Sequence, residues 1–504
     1  MKRSSILYTA LMTGVLFTSC KKELDAVQPL TYISQQGELS TLSGILETTN
    51  GNYVNLANTD GGVFGVPYAA VFHNISEFRG NTVTADLGLT NAQQRDAYSY
   101  VNSGLSTTGY GEYLWKDSYF LIVGVNTTLE AIETFKSGAQ FLQLTAPQQS
   151  QLLHAEGENY FLRAFALFNL VRVFGMPYYN APGTNLGVML KLTSDVTDIP
   201  GRSTVQQTYT QIVSDLKQGA AYMSGTGSQS NIYANKEAAW ALLSRVYLYM
   251  GGTFTTPDAN SNQMAVTYAD SVIQEAAYSL LQGQEYVDMF AADESGTLGR
   301  ADVKGNVEVI FALDNSQGGD QINSMYHYLN YYGSLTGGFY PAASFLSSLQ
   351  AGDVRSQFLQ VNSLGKTETT KYDVSPNYVY GYAPTIFLRL AEVFLNRAEA
   401  EVKSGDNADA LSDLNVIHTR AGLSALTGLS GQPLFDSVLA ERKIELAFEG
   451  QNGFDYFRNG LPMTRPSGDT GGTPFTIQAT DPKVVMQIPF DEISTNPKLV
   501  QNNQ

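Results

Sequence analysis

Residues 146–175 constrain the fold more than any other stretch of the chain. Pro147 suits a first helical turn, where its missing N–H has no intrahelical partner to lose, and apolar residues then recur at helical spacing: Leu152, Leu153, Tyr160, Phe161, Ala164, Phe168 and Val171. Gly175, with Pro177 beyond it, closes the segment. After Tyr160 the helix is apolar nearly all round. A helix of that kind cannot rest on a surface, so it predicts a mainly α-helical domain built around it.

The neighbouring segments supply amphipathic partners. One helix is predicted to begin at Ser203, with Gln206 completing a capping box and Val205, Tyr209, Ile212, Val213, Leu216, Ala220 and Met223 on one stripe. Asn235 caps another, which turns Ala238, Ala239, Leu242, Leu243, Val246 and Met250 inward and stops at Gly251 and Gly252. A further helix is predicted over residues 263–277. Three more, over 385–404, 406–421 and 433–449, follow with very short connections, which makes them antiparallel neighbours. Gly405-Asp406 followed by Ala410-Leu411 is similar to the middle of a tetratricopeptide repeat, where glycine ends one helix and alanine lets the next pack close. Residues 51–113, 282–384 and 460–486 are rich in Gly, Ser and Tyr. They read as long loops with little strand, the clearest β-like run being Glu308-Val309-Ile310-Phe311. Loops of this length in a compact domain carry function or are disordered, and their aromatic content argues for the first.

The chain opens with Lys2 and Arg3, an apolar run from Ile6 to Phe17, and the small residues Thr18 and Ser19 before Cys20, the layout of a secretory signal over residues 1–19. The apolar run is too short to cross a bilayer as a helix. Cysteine at the cleavage point resembles the lipobox of bacterial lipoproteins, with Phe17 in place of the usual Leu, and that resemblance makes Cys20 the lipidated residue. Residues 20–38 then read as a lipidated tether, and Lys-Lys-Glu-Leu-Asp after Cys20 resembles the charged signal that sends Bacteroidetes lipoproteins to the cell surface. Cys20 is the only cysteine, so the chain has no intramolecular disulfide and its stability comes from its core. Thirty basic residues against 47 acidic give a formal charge of −17, which disfavours nucleic acid as a partner.

Several blocks resemble the SusD/RagB family of Bacteroidetes nutrient-binding lipoproteins. The most specific is Glu441-Arg442-Lys443-Ile444-Glu445-Leu446-Ala447-Phe448-Glu449-Gly450, followed by Phe454-Asp455-Tyr456-Phe457-Arg458. Others are Gly157-Glu158 with Phe161-Leu162-Arg163-Ala164, closing on Phe174-Gly175-Met176-Pro177; residues 238–250; residues 388–400 with Leu414-Asn415 and Arg420-Ala421-Gly422; and Gln487-Ile488-Pro489 with Glu492 and Asn496-Pro497. They stand in family order across the mature chain. The resemblance implies a mainly α fold over residues 39–504, with an N-terminal half over about 39–230 and a C-terminal half over about 280–504, in which tetratricopeptide-like helix pairs form a scaffold under irregular loops. It also implies an outer-membrane location, facing the cell exterior, and a SusC-like TonB-dependent transporter as partner, to which oligosaccharides, or peptides in some members, are handed.

The chemistry legible in the residues agrees with binding rather than turnover. Glu441, Glu445 and Glu449 recur every four residues and share a helix face. A glycosidase would need such paired carboxylates; the scaffold alternative pairs them with Arg458, Arg420 or helix ends, and the resemblance favours it. His73, His154, His327 and His418 are scattered, with no zinc spacing, no phosphate loop and no nucleophile elbow, so no catalytic residue, metal or cofactor is assigned. The informative excess is tyrosine, 30 Tyr and 25 Phe against 2 Trp. Tyr offers a flat apolar face and a hydroxyl at little entropy cost, which suits sugar rings and also peptides. The densest run is Tyr326, Tyr328, Tyr331 and Tyr332, then Phe339 and Tyr340, among Gly318-Gly319, Gly333 and Gly337-Gly338. Its position after the β-like run is similar to where family members place ligand-contacting aromatics. A second candidate group, which in the family faces the same side, comprises Phe72, His73, Phe78, Arg79, Tyr110 and Tyr113. Trp115, at the start of a helix running to Glu133, and Trp240 are read as core.

Overall fold

A computed structural model of the chain describes residues 35–503 apart from 58–67, 89, 91, 102–109, 225–229, 291–305, 314–321, 327–337 and 373–384. Cys20 and the residues before it lie outside the described part. The central helix runs Ala146–Phe174, with Pro147 in its first turn and the Thr145 backbone N–H donating to Gln148 Oε1 at 2.9 Å. Every residue from Phe161 to Phe174 is buried, as an all-round apolar surface requires. It lies between the helices Tyr110–Ser137 and Val205–Tyr222. The crossing with the latter depends on two glycines. A Cβ on Gly157 would stand 2.8 Å from the Gly219 carbonyl oxygen, and one on Gly219 would stand 2.9 Å from that of Gly157. Any larger side chain would push the two helices apart.

From there the helices continue as an array in which each packs on the next: Val205–Tyr222 on Lys236–Met250, that on Ala259–Ile273, and that on Leu390–Ser404, which in turn meets Asn407–Arg420 and Gly431–Glu445. Asn235 caps Lys236–Met250 as read from the sequence, accepting from the Ala238 N–H at 2.7 Å. Gly405 ends Leu390–Ser404 in the left-handed conformation at φ 87°, and Ala410 is fully buried where the next helix closes on it. This is the tetratricopeptide-like pair that the sequence predicts.

Several boundaries differ from the sequence reading. The capping box of Val205–Tyr222 is Thr204 with Gln207, one residue later than Ser203 with Gln206, because Ser203 belongs to a short strand, Arg202–Thr204, paired with Leu186–Met189. The helix predicted over 263–277 begins earlier, at Ala259, where Asp258 accepts from the Ser261 N–H at 2.8 Å. The helix predicted from residue 385 is a strand over its first five residues: Thr385–Arg389 pairs antiparallel with Val309–Leu313, and every residue of both strands is buried. A fully buried strand shows no alternation, so it reads like the edge of a buried helix.

The largest difference is in residues 51–113. They hold the end of Leu42–Ala57, the helices Tyr68–Phe78 and Ala92–Ser99, and the start of Tyr110–Ser137. All eleven residues of Tyr68–Phe78 are buried, including His73, Asn74 and Glu77. Such a helix has no polar stripe to betray its period. Trp115 is 1% exposed in the main core, whereas Trp240 is only partly buried, packed against that core with the Lys236 ammonium 4.9 Å from its ring. Among the described residues strands occur only in two-stranded antiparallel ribbons, and no helix is long and apolar enough to cross a membrane.

Candidate functional site

The signature segment lies over the most charged part of the interior. Its helix, Gly431–Glu445, ends sooner than the sequence reading to residue 449, and Phe448 and Gly450 turn the chain with φ 68° and 77°. Glu449 still reaches the same cluster as Glu441 and Glu445. Glu445 accepts from Tyr286 OH at 2.8 Å, from Arg389 Nη1 at 2.6 Å and from Arg420, with Arg355 Nη1 at 3.4 Å. Glu449 accepts from Arg389 Nε at 2.7 Å and Lys371 Nζ at 2.6 Å, and Lys371 also donates to the carbonyls of Glu445 and Ala447. Glu441 pairs with Arg355 Nη1 at 2.6 Å and with His418 Nδ1 at 2.8 Å, and Glu308 joins Arg389 to Arg420. Of the partners read from the sequence, Arg420 is present. Arg458 is not: it serves Glu399 and Asp455 instead.

This arrangement is the opposite of what acid catalysis requires. Burial alone would raise the carboxyls of Glu445 and Glu449, but Arg420, Arg389 and Arg355 around the first, and Arg389 and Lys371 around the second, hold both below the usual carboxylate range. Glu441, Glu445 and Glu449 are 5%, 0% and 7% exposed. A general acid needs a raised pKa and access to a leaving group. Glu445 and Glu449 have neither, Glu441 is as inaccessible as they are, and all three brace a turn.

The aromatic candidates divide by burial. Phe78 lies under Phe339, their rings stacked at 3.8 Å and 12°, with Tyr110 and Tyr98 against the pair. Tyr110 OH accepts from Asn74 Nδ2 at 2.9 Å. Tyr326 stacks on Tyr372 at 5.8 Å and meets Phe448 edge-on at 5.6 Å. Arg79 donates to the carbonyls of Lys483 and Val484 and covers the Tyr100 ring at 4.3 Å. Phe72 packs on Phe454, and His73 lies 3.3 Å from Tyr372 OH. Phe72, His73, Phe78, Arg79, Tyr110, Tyr326 and Phe339 are each 5% exposed or less. Their surfaces are taken up in packing the loop bases against the scaffold rather than turned to solvent. Tyr113 is partly buried against the same core. Tyr328, Tyr331 and Tyr332 lie outside the described residues.

Tyr340 is the exception. Val83–Ala85 pairs antiparallel with Phe339–Pro341, Thr84 opposite Tyr340, and the alternation that buries Phe339 turns Tyr340 outward, half-buried. The Asp86 N–H donates to the Gly338 carbonyl at 2.7 Å, which fixes the ribbon at the residue that follows 327–337. Beside it runs the hairpin Leu359–Val361 with Thr367–Thr369. At its tip Asn362 accepts from the N–H groups of Leu364 and Lys366, and the Lys366 ammonium sits 5.0 Å from the Tyr340 ring centroid. Sequence reasoning missed Lys366. Its only signal was the turn chemistry of Asn362 to Gly365, which places a hairpin but not its neighbour. The described rim of the loop thus offers a half-exposed aromatic ring and an ammonium with three donors, a pair suited to a sugar's apolar face and its hydroxyls.

The described residues thus combine a helical-repeat scaffold, whose signature acids are locked in buried ion pairs, with a partly exposed aromatic ring beside an ammonium, an arrangement suited to binding. The model of the SusD family matches residues 362–504, and that described as starch-binding associating with outer membrane matches residues 68–248. SusD-like protein P2 of Formosa agariphila is 27% identical over 399 residues, covering 68% of this chain and 72% of that protein, and SusD-like protein P38 of the same organism is 23% identical over 458 residues, covering 81% and 83%. A SusD superfamily structure from Bacteroides thetaiotaomicron superposes with TM-score 0.76 at 27% identity, over 92% of this chain and all of that one. Surface glycan-binding protein A from Bacteroides uniformis, at 17% identity and TM-score 0.73 over 92% and 99%, shares the fold. The chain belongs to the SusD/RagB family.

Proposed function

We propose that this protein is a surface glycan-binding lipoprotein that captures oligosaccharide and passes it to a SusC-like TonB-dependent transporter. The observation that carries the reading is the rim at Tyr340 and Lys366, an outward ring and a cation at the mouth of a loop whose sequence adds Tyr328, Tyr331 and Tyr332. The family description, starch-binding associating with outer membrane, supports a carbohydrate ligand and the outer membrane as the site of work. Lipid on Cys20 places the domain at the membrane, and the tether over residues 21–38 lets it reach ligand in the external medium. The three acids of the signature segment serve structure, so captured glycan leaves chemically unchanged.

The test uses whole cells of the natural host. Cells carrying the wild-type chain retain fluorescent oligosaccharide from the host's growth glycan, whereas Cys20→Ser cells lose surface retention and the purified Cys20→Ser protein still binds in solution. Wild-type protein recovered without lipid, or surface retention unchanged by the substitution, contradicts the anchor. Absence of binding by the purified protein to every glycan that supports growth contradicts the ligand class.

A further inference from the structure

A cleft with a volume of about 410 Å3 opens on the helical array, among Ala259–Ile273, Leu390–Ser404 and Asn407–Arg420, and none of these elements belongs to the Tyr340 rim. It is lined by five carboxylates, Asp270, Glu401, Asp406, Asp409 and Asp413, and by the guanidinium of Arg397. That cation is already committed. Arg397 Nε and Nη2 donate to the two oxygens of Asp413 at 2.6 and 2.7 Å, and its Nη1 donates to Asp270 Oδ1 at 2.6 Å.

The remaining acids have no such partner. Glu401 is 8% exposed; its Oε1 stands 3.9 Å from Arg397 Nε, beyond hydrogen-bond reach, and its Oε2 has no hydrogen-bond partner. Asp406 and Asp409 stand exposed at the edge of the cleft and make no ion pair with a described residue. A carboxylate held out of water among like charges is unfavourable. Burial, with repulsion from Asp413, Asp409 and Asp406, pushes the Glu401 carboxyl up to about 8, although Arg397 opposes this. Among the described residues no three acids are grouped closely enough to hold a metal ion. The excess negative charge is thus spread from a buried wall to an exposed edge, which suits a cation whose own charges are spread along a chain.

We infer that this cleft is a binding site for a short linear polyamine. One ammonium donates to Glu401 Oε1, a second pairs with Asp406 and Asp409 at the edge, and the methylenes between them span the cleft. An ammonium has three donors and no acceptor, so it fits carboxylates that the chain leaves without donors of their own. The site is separate from the glycan rim, and its occupancy does not depend on a glycan being bound.

The test is thermal unfolding of the full mature chain, at about pH 8 where Glu401 is half ionised, in spermidine, n-butylamine or magnesium chloride against sodium chloride at equal ionic strength. Spermidine raises Tm saturably. Butylamine, with one charge, and magnesium, with no chain, do so only at concentrations about tenfold higher or more. Glu401→Gln keeps the shape of the side chain and Asp406→Asn/Asp409→Asn lies on the exposed edge, so both fold. Each raises the half-saturating spermidine concentration about tenfold, as loss of one charge-assisted contact does. Glu47→Gln/Glu133→Gln, which removes two exposed acids outside the cleft, leaves that concentration unchanged. Equal Tm in spermidine and sodium chloride, magnesium as effective as spermidine, or a distant pair that weakens the response as much as either cleft variant overturns the assignment.

Discussion

Removing the charge of Glu445 tests whether the signature acids are structural. In Glu445→Gln the side chain keeps its volume and still accepts from Tyr286, but Arg389, Arg420 and Arg355 lose the carboxylate on which they converge, and a Gln nitrogen faces arginine donors. Glu445 is 0% exposed and its guanidinium partners are 1 to 7% exposed, so water cannot replace the lost partner. Breaking a buried charge pair by neutralising one side costs about 3–5 kcal/mol. A cooperative unit of about 450 residues has an unfolding entropy near 1 kcal/mol per degree, so the loss lowers Tm by about 3–5 °C. Differential scanning calorimetry of the purified variant measures it, with the exposed Glu47→Gln as control at under about 0.5 kcal/mol. Glycan binding by the folded variant should equal wild type. A Tm within 1 °C of wild type, or a stable variant whose binding or any glycan cleavage is lost, refutes the structural reading.

Other perturbations probe separate parts of the account. Burial pushes Glu158, which accepts from Tyr53 OH at 3.1 Å, up to about 8. The folded state then keeps a proton that the unfolded chain releases above about 4.5, so this group's stabilisation is full below that pH and is lost as pH rises towards 8; Glu158→Gln should therefore flatten the fall of Tm between pH 5 and 8 in scanning fluorimetry, and an unchanged slope contradicts it. Gly405→Ala meets no atom within 4 Å but must hold φ 87°, so chemical denaturation should show a loss of about 1–2 kcal/mol from backbone strain alone. Asn235→Ala removes the cap on Ala238 N–H and should cost about 1 kcal/mol in the same assay.

What was legible in the sequence follows from period and capping. Ala146–Phe174 and Lys236–Met250 were readable because a proline, an asparagine and closing glycines bracket long apolar runs. Tyr68–Phe78 was not, because a helix buried on every side mixes His73, Asn74 and Glu77 into its sequence without a polar face, each meeting distant chain: His73 near Tyr372, Asn74 on Tyr110, Glu77 on Gly450. Thr385–Arg389 reads as part of the helix after it because nothing local marks a strand whose partner, Val309–Leu313, lies far back along the chain. The site was legible as a composition and not as a surface. The run of aromatics told where the loop is, but alternation along the ribbon decides that Phe339 goes in and Tyr340 comes out, and its register is set by pairing with Val83–Ala85. Lys366 reaches Tyr340 only through that packing.

The central claim is that Tyr340 and Lys366, with the tyrosines that precede them in the sequence, hold glycan, and isothermal titration calorimetry of the purified domain tests it most directly. The host's growth oligosaccharide is titrated into wild type, Tyr340→Ala/Lys366→Ala and Tyr331→Ala/Tyr332→Ala. Stacking and charge-assisted hydrogen bonds worth about 1–2 kcal/mol each predict a loss of about tenfold or more in affinity for both double variants, with Tm unchanged within about 2 °C. Wild-type affinity in both variants contradicts the claim and moves the site away from this loop.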